Sequence, residues 1–386
     1  MCFRRLYIRL FVVIVLTFLI IFITKINRIN ISEQENRSLT KKPEFNRTTI
    51  LTGTYSKQFE QWLNDRFRGR YKLITLLNHL EQLINGRVEN AMTFEGKDGF
   101  LFYKGENSIA NFQNKIILTD AELLKIKEIL EKRKQYLARR GIFFYVMIAP
   151  DKNRVYAENY PSYIHKIRSK GRAEQLVCYL QEQGFNIIYP LQELRDARKI
   201  GGIYYRLDTH WNTYAAYIAY DIIMRTISKD MGIQCLVWED FLVGNEMEGL
   251  AIPHYKRNDL VKMANISSKY CKGHFMNTLK IDKKIPYKYK FVKFEGMNGE
   301  GGVETVNSNS PNKLKLLVFR DSFAMALEPL LSETFAHSIY IWDQNFNNPN
   351  YLKMIDDFKP NIVIEEVVER SLQQLLMDTP PLKEAN

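Results

Sequence analysis

Apolar residues along this chain follow two alternating arrangements. Runs of strand length that are apolar nearly throughout, at 142–149, 185–189, 314–319, 338–342 and 362–365, are separated by stretches in which apolar residues return every three or four positions, at 120–140, 172–183, 191–198, 213–229, 322–335 and 351–358. Continuous apolar runs predict strands buried on both faces, and the intervening helices supply crossovers. The pattern therefore predicts an α/β fold, a parallel sheet of five strands sandwiched by helices. Ligands of such sheets bind at the carboxyl ends of the strands. Thr119 or Asp120 stands where a cap for the 120–140 helix is needed, and Gly141 lies just past its end.

Other stretches break the rhythm. Residues 29–54 are polar and irregular and read as a stalk; 55–67 and 71–85 are helical in spacing; 96–103 reads as a turn entering a short strand. Residues 231–313 are rich in polar and turn residues, notably at 299–302 and 307–312, and predict an insertion over one face of the sheet. Near the amino terminus, 10–24 is uncharged and strongly apolar, and Leu6 and Ile8 extend it if Arg9 snorkels toward the headgroups. No small-residue cleavage site follows, so the run predicts an uncleaved transmembrane helix. Arg4, Arg5 and Arg9 before it, against Lys25 and Arg28 after it, favour a cytoplasmic amino terminus and an extracytoplasmic body at the cell membrane, with a single pass. The expected organisation is tail and anchor over 1–30, stalk and helical segment over 31–118, and an α/β domain over 119–380 with its insertion at 231–313.

Composition narrows the functional classes. The chain has 386 residues, 46% of them hydrophobic, enough for a sizeable core. Its formal net charge of +12 suits anionic surroundings such as a phospholipid surface, but the positive charges are scattered rather than gathered in a stripe, which argues against nucleic acid. Cys2, Cys178, Cys235 and Cys271 form no Cys-x-x-Cys, which argues against a disulfide scaffold and a zinc site. One bridge among the last three and free thiols both remain open. His254 and His274 are not at ligand spacing, so no metal is expected, and glycine-rich nucleotide loops are absent, so no cofactor is expected either.

Two places carry candidate chemistry. Asp208-Thr209-His210-Trp211 puts a carboxylate two positions from a histidine, the pairing that can orient a general base. Ser322 follows the 314–319 strand at the start of a helical pattern, where the N–H groups of Ser322 and Phe323 could meet an oxyanion. Each has a simpler explanation: Asp208 closing a turn and Thr209 or Asn212 capping a helix, and Ser322 or Asp321 capping the next. The flanks of Ser322 are not a Gly-x-Ser-x-Gly elbow, because Arg320 and Ala324 stand where its glycines would be.

Landmarks in order along the chain bring these places together: Glu35-Asn36-Arg37; Asn64-Asp65-Arg66-Phe67 with Arg70; Gly96-Lys97-Asp98-Gly99-Phe100-Leu101-Phe102; Pro150-Asp151-Lys152; Asp208-Thr209-His210-Trp211; Asp321-Ser322-Phe323; and Glu369-Arg370. In these the chain resembles the SGNH-hydrolase-like polysaccharide O-acetyltransferases, the AlgJ- and AlgX-like DHHW group. The resemblance implies Ser322 as nucleophile, His210 as general base and Asp208 as the residue orienting it, with Phe323, Arg320, Trp211 and Lys152 as substrate-binding or oxyanion candidates. Arg320 departs from the glycine of many relatives and could meet an acidic substrate or only alter the approach to the serine. The resemblance also implies a polysaccharide acceptor and a membrane-bound acyltransferase that supplies acetyl groups across the bilayer. A carbohydrate acetyl esterase would use the same residues with water as acceptor, and a non-catalytic envelope assembly or polysaccharide-binding protein could keep the fold alone.

Overall fold

The computed structural model describes residues 31–32, 37–66, 72–73, 75–77, 80, 84, 86–247, 258–266, 277–294, 302–342 and 349–376. The anchor expected over 10–24 and the landmark residues Glu35, Asn36, Phe67 and Arg70 lie outside them. Among the described residues no helix is long and apolar enough to cross a membrane. The chain forms two compact units, residues 1–94 with 260–270, and residues 95–259 with 271–386.

In the first unit, helix α1 (Arg47–Leu51) is opened by Asn46, whose side chain accepts from the Thr49 N–H at 2.9 Å. Helix α2 (Thr54–Arg66) carries Asp65, whose carboxylate accepts from the N–H and the hydroxyl of Thr40 at 2.9 and 2.7 Å.

The second unit holds the sheet. Its elements in chain order are α3 (Asp120–Ala138), β1 (Phe143–Ala149), α4 (Lys152–Val155), α5 (Arg172–Glu182), β2 (Ile187–Ile188), α6 (Leu191–Ala197), α7 (Thr213–Met231), β3 (Phe241–Met247), then the first residue of α8 (Asp259–Ala264), whose other residues belong to the first unit, and β4 (Asn277–Lys283), β5 (Lys290–Phe294), β6 (Gly302–Val306), β7 (Asn312–Arg320), α9 (Glu328–Thr334), β8 (Phe335–Trp342), α10 (Pro349–Phe358) and β9 (Ile362–Val368). Seven strands pair in the order β2-β1-β9-β7-β8-β6-β5. The first five are the predicted strands and run parallel. The last two are antiparallel, which makes the sheet mixed rather than parallel throughout. Besides the insertion expected over one face, 231–313 adds two strands at one end of the sheet, β5 forming its edge, and β3 and β4 pair as a separate antiparallel ribbon.

Local chemistry explains the elements. Thr119 and Glu122 close a reciprocal capping box at the start of α3, and Gly141 follows its end at φ +71°. One face of the sheet packs Phe319, Ile341 and Val363 against α3 and α10, and Val146 and Ile148 against α3 and α5. Arg133 of α3 pairs with Glu365 of β9 in that layer, both side chains essentially without exposure. On the other face the Tyr145 hydroxyl donates to Asp230 of α7 at 2.8 Å, and Tyr340 is bonded to Ser332 of α9. The helix predicted over 322–335 is divided into a 3-10 turn, Phe323–Ala326, and α9. Pro329 lies in the first turn of α9, where its missing N–H is no loss, so the helix starts afresh there. Cys178 and Cys235 are both free thiols.

Candidate active site

Ser322 lies two residues beyond β7, at the carboxyl end of the sheet, and Asp321 pins its turn. The Asp321 carboxylate accepts from the Phe323 N–H at 2.8 Å and from the N–H of Val368, the last residue of β9, at 2.7 Å, while the Asp321 N–H donates to Glu366 at 3.0 Å. Ser322 itself keeps ordinary helical angles, φ −69° and ψ −19°.

The histidine arrives on the loop before α7. Backbone bonds from Tyr205 N–H to His210 C=O (3.2 Å) and from Asn212 N–H to Ile203 C=O (3.0 Å) fold 203–212 back on itself. Asn212 then caps α7, accepting from the Ala215 N–H at 3.0 Å. Asp208, fully buried inside this loop, accepts from the His210 N–H at 3.0 Å and from Nδ1 at 2.7 Å with the same oxygen. His210 Nε2 faces the Ser322 hydroxyl at 2.6 Å. With Nδ1–H committed to Asp208, Nε2 is the acceptor for the serine proton, the tautomer a general base requires.

The remaining sequence candidates take other positions. Trp211 donates from its indole N–H to the Phe323 C=O at 2.9 Å and packs edge-on against that ring, tying the histidine loop to the serine turn. The Phe323 ring lies tilted beside the His210 ring, and the Phe323 N–H, proposed for an oxyanion, is taken by Asp321. The Ser322 N–H carries no such bond among the described residues. Lys152 is buried, its Nζ donating to the carbonyls of Tyr205, Arg206 and Asp208 at 3.2, 3.1 and 2.6 Å, so it holds the loop rather than facing substrate. Arg320 is 3% exposed, paired with Glu328 at 2.8 Å and stacked over Trp342, and is closed to an acidic substrate.

One residue of this centre escaped the sequence reading. Asp259, opening α8, donates its backbone N–H to the second Asp208 oxygen at 3.0 Å. Its carboxylate accepts from the Thr209 N–H at 2.8 Å and from the Thr209 hydroxyl, and comes within 3.6 Å of His210 Nδ1. Arg370 is a further charge nearby, held by Asp151 at 2.6 Å, its guanidinium over the Phe323 ring.

These contacts set the protonation pattern. Burial pushes Asp208 up, but the His210 bond and charge outweigh it and hold the carboxyl at about 2. Burial pulls His210 down, yet the bond from Asp208 and the charges of Asp208 and Asp259 raise it above the ordinary imidazole value, Arg370 opposing them. Asp259 is pushed up to about 6, first by burial and then by the charge of Asp208. Asp208, His210 and Asp259 are also the group of ligand-type atoms, within 4.8 Å of one another, that stands out among the described residues. Those atoms are hydrogen-bonded among themselves and to Thr209.

Serine, histidine and aspartate thus converge at the carboxyl end of a helix-covered sheet. Residues 93–267 match the family model for the SGNH hydrolase-like domain of the acetyltransferase AlgX. That span contains Lys152, Asp208, His210 and Asp259; Ser322 lies beyond it. Among solved structures the chain is similar to Bacillus cereus PatB1 with a sulfonyl adduct, at 18% identity and a TM-score of 0.51 over 75% of this chain and 99% of that one. Also similar are a DHHW family protein of Eubacterium siraeum, at 13% identity and a TM-score of 0.48 over 74% and 95%, and the O-acetyltransferase domain of Pseudomonas putida AlgJ, at 14% and 0.46 over 74% and 93%. No curated protein sequence matches the chain. Over 93–267 the family model bears out the resemblance read from the landmark residues, and the PatB1 likeness carries the fold.

Proposed function

We propose that this chain is an O-acetyltransferase that acetylates a polysaccharide through an acyl-serine. The observation that carries the reading is the continuous chain of contacts from Asp208 through His210 to the Ser322 hydroxyl, 2.7 and 2.6 Å, at the carboxyl end of β7. In the first step Ser322 Oγ bonds to the acetyl carbonyl carbon while its proton passes to His210 Nε2. The tetrahedral oxyanion is met by the Ser322 N–H, and collapse breaks the bond to the donor's leaving oxygen, which takes the proton from His210. In the second step a sugar hydroxyl gives its proton to His210 and attacks the acetyl-serine; the serine leaves and recovers its proton. Asp208, ionised throughout, keeps the ring oriented and stabilises the imidazolium.

The acetyl donor in this reading is a membrane-bound acyltransferase, and 10–24 anchors the chain with its α/β domain on the extracytoplasmic side. The test is Ser322→Ala in the producing cell. Polymer acetylation is expected to be lost while the variant is recovered in the membrane fraction at the parental level. Retained acetylation would sink the assignment, and recovery of the parent chain in the soluble fraction would sink the anchor. Incubating the purified chain with an acetyl ester and an oligosaccharide separates transfer product from the acetate alone that an esterase would release.

A further inference from the structure

From the clamp it makes on the loop, we infer that Asp259, reaching the centre from the segment inserted between α7 and β7, is a positioning residue that sets both the orientation of the Asp208–His210 pair and the charge against which His210 works. This rests on the acyl-serine reading above. Asp259 grips the loop at two points: its N–H fills the Asp208 oxygen that His210 does not use, and its carboxylate takes both donors of Thr209, the residue between Asp208 and His210. A loop residue held at backbone and side chain cannot rotate its neighbours, so the imidazole stays aimed at Ser322. The carboxylate is also a second negative group beside His210 Nδ1, at 3.6 Å. The aspartate of a triad ordinarily does this alone; here two carboxylates face one imidazole.

The charged and titratable groups around the pair are Asp208, Arg370 and, on the Asp259 side, Tyr103, whose own ionisation burial and nearby carboxylates push up. An ionised Asp259 favours the imidazolium, so removing its charge lowers the pH at which His210 gives up its proton. A general base acts when neutral, and the acid limb of the pH–rate profile moves with it.

The experiment compares the full chain, purified in detergent, with Asp259→Asn, Asp259→Ser and Asp259→Glu. The first readout is the pH dependence of Ser322 labelling by phenylmethylsulfonyl fluoride; the second is the titration of the His210 ring followed by NMR with histidine labelled at Cε1. For Asn and Ser both midpoints are expected about one pH unit lower than in the parent. Glu, which keeps the charge, should move them back toward the parental value. Two variants without the charge guard against one of them failing to fold. Midpoints that stay at the parental pH in a folded Asn or Ser variant, with labelling slowed equally at every pH, would overturn the inference and leave only a packing role. If Ser322 of the parent takes no label, the acyl-serine reading fails, and the ring titration still decides whether Asp259 sets the His210 ionisation.

Discussion

Lys152 gives its three ammonium donors to three backbone carbonyls of the loop that carries the Asp208–His210 pair. Replacing it with methionine keeps the length and removes the ammonium donors from the carbonyls of Tyr205, Arg206 and Asp208. Lys152→Met is expected to cost about 3 kcal/mol in urea unfolding and to slow Ser322 labelling in the molecules that remain folded. Unchanged unfolding would mean that the loop holds itself. The residue scale is also where sequence reading reached furthest and where it stopped. Asp208 and His210 are legible because their partnership is local, two positions apart, and Ser322 because a strand run ends just before it. Lys152 could be marked only as a candidate for substrate, since its carbonyl partners, more than fifty residues on, converge on it only after the loop closes. Asp259 lies in a polar stretch with no periodicity, and nothing local sets it apart from the acidic residues around it.

Among the elements, α3 and β9 are joined by the Arg133–Glu365 pair, buried between two layers of apolar side chains. Removing one partner strands a charge where water cannot reach it, whereas removing both leaves an apolar site to be filled. Arg133→Met alone is therefore expected to cost about 3–5 kcal/mol in chemical denaturation, and Arg133→Met with Glu365→Leu to recover most of that loss. A double variant no more stable than the single one would place the value of the pair in its own attraction. The same strands show why part of the fold was legible. β1, β7 and β9 are buried on both faces, so their apolar runs have no competing reading as loops, and 142–149 anticipates Phe143–Ala149 to within a residue. β5 and β6 lie at one end of the sheet, β5 at its edge, and their sequences mix charged, polar and apolar residues without a clear period of two; strands of five residues like these resemble the loops that join them.

Across the whole molecule two electrostatic effects pull stability in opposite directions with pH. The net charge of +12 is self-repulsive, and acid increases it, so surface charge alone would make the protein more stable as pH rises. Several buried groups argue the reverse. Burial pushes Glu328 up to about 7 against the pull of Arg320, Glu369 up to about 7 against Arg154, and Asp259 up to about 6, and His210 is raised as well. A group whose folded value is raised binds its proton more tightly in the folded state. Its stabilisation is complete below the unfolded value, near 4.5 for the glutamates, and is lost as pH rises through the folded one. Asp208, held at about 2, has the opposite sign, but its contribution is constant above its unfolded value of 3.8 and changes nothing in this range. The surface effect is screened over about 8 Å at physiological salt, and the buried one is not. At that ionic strength the urea midpoint is therefore expected to fall steadily between about pH 4.5 and 7.5. Lowering the salt should flatten the trend, because the surface repulsion then reaches further and weighs against the acid side. A midpoint that rises with pH at physiological salt would mean that the buried carboxyls are ionised in the folded protein and that their arginine partners, not burial, govern them.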